Sequence, residues 1–193
     1  DAMRSVGEQL KSVADAGLMS PYGEDGYAMF QSGDVLFSTD GTWTSTAHGS
    51  VEGLNFGVTN IYSVTPDKFT NRSSAHLFSL LNNEDRTDEK EQGVADFLSW
   101  MRENSLDWAG AGQIVASKEV FESEEYQQYP QSFFTSSDVE KEASYIFDYK
   151  YYSYVESALG TVLSDMIYGN ITIDEGLDQA QKTVEDLIAE NAS

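Results

Sequence analysis

The stretch FQSGDVLFSTDGTW, Phe30–Trp43, decides how the chain is read. Val35 and Phe37, with Leu36 and Ser38 between them, suit a buried or half-buried strand. Gly41 permits a sharp turn out of that strand, and TWTSTAHG beyond it suits a short helix capped by Thr42. Strand, glycine turn and helix start is the arrangement in which open α/β sheets keep their ligand sites, outside the carboxyl ends of the strands. An aromatic ring at that point, Trp43, is placed to meet a ligand.

Outward from this stretch, the pattern alternates before it settles into helix. AMRSVGEQLKSVADAG predicts a first helix with Met3, Val6, Leu10 and Val13 on one face and Gly17 as its stop. LNFGVTNIYSV reads as a second strand region, with Phe56, Val58 and Ile61 available for burial, and AHLFSLLN as a third, more continuously apolar and hence central. TDEKEQGVADFLSWMREN predicts a helix capped by Thr87, with Val94, Phe97, Leu98 and Met101 inward. WAGAGQIVA reads as a loop with an extended end, SKEVFESEEY as a short helix and QQYPQSFFTSS as irregular. The last third is helical. Tyr152, Val155, Leu159, Val162, Leu163, Met166 and Ile167 fall on one stripe. Thr172 to Glu175 then form a capping box ahead of an apolar face of Leu177, Ala180, Val184, Leu187 and Ile188. Strands first and helices later predict an α/β lobe with a helical C-terminal subdomain, residues 1–193 forming a single lobe.

Charge narrows the partners. Thirty-three acidic against eleven basic residues give a net charge of −22, which argues against nucleic-acid phosphates and anionic lipid headgroups. The acids are spread along the chain and read as a solvated surface. With no cysteine there is no disulfide, thiolate nucleophile or cysteine-based zinc site, and two distant histidines make no metal pattern, so no cofactor or metal is expected. No apolar run approaches the length of a membrane span.

Phe30, Gly33, Val35, Phe37, Gly41 and Trp43 resemble the F-x-x-G-x-apolar-x-apolar, then G-x-W, pattern of extracellular sugar-binding proteins of ABC transporters. WAGAGQIVA resembles that family's W-x-x-x-G-H-I-P-A loop, and GNITIDEGLDQA the stretch before its last helix. Asp34, Thr42, Gln113, Val115 and Gly176 depart from residues frequent in the family. The resemblance implies a periplasmic-binding-protein-like type II fold, of which this chain is the C-terminal lobe with a mixed sheet. It implies an oligosaccharide ligand, handed without catalysis to the membrane permease of an importer by a monomeric receptor. It also implies an extracytoplasmic location, anchored through an N-terminal lipoprotein segment outside this sequence or periplasmic.

A sugar site needs flat aromatics for the C–H faces and planar polar groups for the hydroxyl edge. Trp43 and Trp108 are candidates for the first task, and Gln113 for the second. Asp40 is available either to accept from sugar hydroxyls or to hold the turn. Gly41 and Gly112 are the backbone positions within the two motif loops, and Tyr151, in the aromatic run YIFDYKYYSYVES, is a further stacking candidate beside Tyr149. Trp100, on an amphipathic helix, is expected in or near the core. His48 near Ser45 and Ser50 has no G-x-S-x-G elbow around it. The alternative in another class is a glycoside hydrolase, for which Asp40 and Glu52 are the carboxylates nearest Trp43.

Overall fold

A computed structural model describes residues 2–61, 71–136, 144–145 and 147–191. The described elements run α1 (Ala2–Asp15), α2 (Gly26–Ser32), a 3-10 turn (Thr42–Thr44) entering α3 (Ser45–Gly49), and β1 (Asn71–Arg72). There follow α4 (Asp88–Glu103), α5 (Ser105–Gly110), α6 (Lys118–Phe121), 3-10 turns at Tyr126–Gln128 and Pro130–Ser132, and α7 (Phe133–Ser136). Then come β2 (Ser144–Tyr145), α8 (Tyr152–Ile167) and α9 (Ile173–Asn191). They divide into two units, Asp1–Ser38 with Ile146–Ser193, and Thr39–Tyr62 with Lys68–Tyr145.

The expected α/β lobe with a mixed sheet is not what forms. Helix dominates, and β-structure among the described residues is one parallel pair, Asn71 opposite Ser144 and Arg72 opposite Tyr145. In the opening stretch, Phe30 belongs to α2, which Asp25 caps by accepting from the Tyr27 amide at 3.0 Å. Gly33 ends that helix at φ +82°, its N–H directed to the Met29 and Phe30 carbonyls. Beyond it, Leu36 and Phe37 are 87% and 84% exposed, so the predicted strand is absent. Residues 54–60 keep a strand-like alternation, with Leu54, Phe56 and Val58 turned inward, yet they pair with no described strand. The rest of that predicted strand, from Tyr62, lies outside the described residues. Leu77, Phe78, Leu80 and Leu81 of the predicted central strand are exposed. A strand is stabilised only when a partner distant in sequence supplies its ladder, whereas a helix closes its own hydrogen bonds.

In the first unit the helical predictions hold. α8 and α9 pack through Ala158, Val162, Met166 and Ala180, with Leu159, Leu177 and Val184 against them. The capping box forms: the Thr172 hydroxyl accepts from the Glu175 amide at 3.2 Å, and the Glu175 carboxylate accepts from the Thr172 amide at 2.8 Å. Gly176 lies so close to the buried Met166 that a β-carbon would overlap its thioether, which accounts for a glycine inside α9. α1 joins them where Gly7 faces Ile173 and Arg4 pairs with Asp174. Asp165 at the end of α8 accepts from Tyr22 at 2.7 Å and Asn170 at 2.9 Å, and these bonds hold its pKa below the ordinary carboxylate value.

The second unit is built differently. Its core is Ala109, Val115 and Tyr126, with Leu106, Val120, Phe121 and Tyr129 packed around it. Burial raises the pKa of the Tyr126 phenol; the Thr135 hydroxyl partly offsets this from outside hydrogen-bonding geometry. α4 forms behind its Thr87 cap, whose hydroxyl accepts from the Lys90 amide. Its apolar stripe is on one face as expected, but none of its residues is buried, and Trp100 is 56% exposed instead of lying in the core. Phe97 meets Phe78 edge-on, at 5.9 Å between centroids. QQYPQSFFTSS proves to be mostly successive helical turns, and WAGAGQIVA begins inside α5.

Candidate functional site

The second unit brings together the two loops that carry Trp43 and Gln113. Gly112 sits at φ +86°, in the left-handed region that favours glycine. A β-carbon there would lie 3.1 Å from Trp43 Cα and would overlap the Thr42 carbonyl oxygen. The turn after α5 therefore rests directly on the Thr42–Trp43 main chain. A second tie runs beside it, from the Thr46 hydroxyl to the Gly110 carbonyl at 2.8 Å. From beneath, the buried side chain of Gln131 donates to the Ala109 carbonyl at 2.7 Å, with the Gln113 carbonyl at 3.5 Å.

Gly41 serves a different purpose from the one expected. Its backbone is extended, φ −85° and ψ 159°, a conformation open to any residue. The indole of Trp43 folds back over it, in the space a β-carbon would take. The ring is thus seated on main chain while the residue stays 63% exposed. Thr42 is not the helix cap: Gly41 caps the 3-10 turn and Thr44 stands at the cap of α3, while the Thr42 carbonyl accepts from the Ser45 hydroxyl at 2.7 Å.

Trp108, on α5, is 45% exposed and meets the edge of His76 at 6.2 Å between centroids. Gln113 is half-buried just beyond Gly112. Asp40 approaches the buried His48 on α3, its carboxylate 3.7 Å from Nε2, while Phe56 covers the imidazole edge-on at 5.5 Å. The carboxylate thus steadies the turn that carries Trp43. The hydroxyls near His48 are committed elsewhere: Ser45 donates to the Thr42 carbonyl and Ser50 to that of Ala47. Tyr151 belongs to the first unit, where it stacks on Tyr154 at 5.7 Å and lies under the Lys150 ammonium at 4.9 Å.

Among the described residues no group of three or more histidines and carboxylates is placed to hold a metal. The sequence motifs did not single out Thr46 and Gln131, which clamp the α5 turn; only their hydrogen bonds in the folded chain reveal them. Another hollow of this unit, about 440 Å³, lies elsewhere, between Leu80, Leu81 and the face of α4 bearing Lys90 and Val94. It includes none of the candidate residues.

No family model and no curated protein matches the chain. What this junction offers chemically is one exposed indole lying over a glycine, with hydroxyl and amide groups close by.

Proposed function

We propose that the chain binds a carbohydrate, an oligosaccharide taken up from outside the cell and passed to the membrane permease of an ABC importer, without catalysis. The observation that carries this is the seating of Gly112 on the Thr42–Trp43 main chain, which unites two loops some seventy residues apart in sequence around an exposed tryptophan. An exposed indole lying over main chain offers a flat apolar face, which suits the C–H face of a sugar. A neutral ligand also suits a chain of net charge −22, which repels anions. The hydrolase alternative has less behind it, since Asp40 faces His48 rather than a second carboxylate and Glu52 is exposed.

The test is titration of the chain with maltose- and xylose-type oligosaccharides, followed by tryptophan fluorescence and calorimetry. Saturable binding that Trp43→Ala weakens about tenfold or more, with the urea midpoint little changed, is the expected result. Turnover of aryl glycosides that disappears in Asp40→Asn would replace binding with hydrolysis. No response to any sugar would remove the carbohydrate reading altogether.

A further inference from the structure

Beside the Trp43 turn the same unit holds a smaller hollow of about 220 Å³, walled by Ser45, Thr46, Phe56, Gly110, Tyr129 and Gln131. At roughly 30 Å³ per molecule it has room for about seven waters. That is less than the several hundred Å³ usual for drug-sized ligands, and it has room for one ring with its hydroxyls.

The hydrogen-bond pattern of the wall specifies what it can hold. A Ser or Thr hydroxyl has one hydrogen to donate and two lone pairs to accept with. Ser45 spends its hydrogen on the Thr42 carbonyl at 2.7 Å and Thr46 on the Gly110 carbonyl at 2.8 Å. The Gln131 amide nitrogen is turned to the Ala109 carbonyl at 2.7 Å, which leaves its oxygen as the acceptor. The polar side of the hollow therefore has accepting capacity to offer, and its chief side-chain donor is the Tyr129 phenol. Phe56 and Tyr129 supply apolar ring surface. Among the described residues no Lys, Arg, Asp or Glu lines it, so its described wall offers no counter-charge to an anion or a cation. A ligand rich in hydroxyl donors, neutral, with one apolar face, is the complement.

We infer that this hollow is a seat for a single pyranose ring, the end unit of the sugar, held by its hydroxyls against Ser45, Thr46 and Gln131 with its C–H face toward Phe56. The inference rests on the carbohydrate reading and adds to it a length rule: the ligand is recognised at one end. The two are separable because Gly49 also lines the hollow, and a β-carbon there meets nothing within 4 Å. Gly49→Leu therefore adds bulk at the wall of the hollow without displacing a neighbour.

The experiment titrates the chain with methyl α-glucoside and methyl β-xyloside, read by amide NMR shifts and calorimetry, with tetramethylammonium as the cationic comparison. The expected result is saturable shifts at Thr46 and Gly110, and a loss of affinity of about tenfold or more in Gly49→Leu, whose far-UV circular dichroism stays that of the wild type. Thr46→Ser, which keeps the oxygen, binds like the wild type, and Thr46→Val weakens binding about three- to tenfold. Oligosaccharide binding that depends on Trp43 but is indifferent to Gly49→Leu would overturn the ring seat and leave the carbohydrate reading standing. Shifts driven by tetramethylammonium and not by the glycosides would also overturn it. Silence toward every sugar would bring down both.

Discussion

Gly112→Ala puts the junction between the two loops to a quantitative test. Two costs are added by one methyl group. The first is conformational: holding a non-glycine residue at φ +86° costs about 1–2 kcal/mol, reduced by a few tenths to 1 kcal/mol because alanine also restricts the unfolded chain. The second is steric, because the new β-carbon meets the Thr42 carbonyl and Trp43 Cα, and main chain cannot swing aside as a flexible side-chain tip can. Overpacking of this kind costs about 1–3 kcal/mol. The sum is about 2–4 kcal/mol, a large part of the stability of a small domain. Gly53→Ala provides the control in the same unit, since Gly53 has φ +85° but nothing within 4 Å of a β-carbon, and its cost is about 1 kcal/mol. Urea unfolding followed by tryptophan fluorescence measures both, because Trp43, Trp100 and Trp108 all lie in this unit. Equal midpoint shifts in the two variants would refute the close approach of the two loops.

Gln131→Leu keeps the volume and removes one of the two donors to the Ala109 carbonyl, the Gly112 amide remaining at 2.9 Å; it should cost about 0.5–1.5 kcal/mol in the same urea assay. Gly176→Ala sets two effects against each other. Helix propensity favours alanine by about 1 kcal/mol, but overlap with the buried Met166 costs about 1–3, so the thermal midpoint should fall. Adding Met166→Ala should remove that penalty, and a double-mutant cycle with no coupling would contradict the packing of α8 on α9. For pH, the Glu175 carboxylate is held below its ordinary 4.5, first by the Thr172 hydroxyl and then by the Thr172 amide. Such a group stabilises the fold above its unfolded value, and that contribution is lost as pH falls through the folded value. Acid also relieves the repulsion of a −22 chain, so the measurement is a difference: helicity of wild type minus Glu175→Gln should shrink as pH drops below 4.5. A difference that stays constant down to pH 2.5 would count against the capping box.

Trp43 stands out in the sequence by its place after a glycine turn at the end of an apolar run, and the folded chain leaves it exposed although that run forms no strand. The purpose of Gly41 was misread, since a tight turn and a close ring contact favour the same residue, and only φ and the position of the indole separate them. Asp40 had two roles open to it, and the folded chain turns it to His48. Thr46 and Gln131 escaped notice because a lone threonine or glutamine carries no pattern until its partner carbonyls are known.

By itself the sequence determined the helices α1, α4, α8 and α9, with Thr87 as a cap and Thr172 and Glu175 as a capping box. Their hydrogen bonds and caps lie within four residues along the chain, so local order suffices to specify them. That Val35–Phe37 and the LFSLL run join no described strand, and that Gly112 rests on the Thr42–Trp43 main chain, is fixed by long-range packing. Strand pairing and close backbone approach depend on residues far apart in sequence, and no local pattern names the partner.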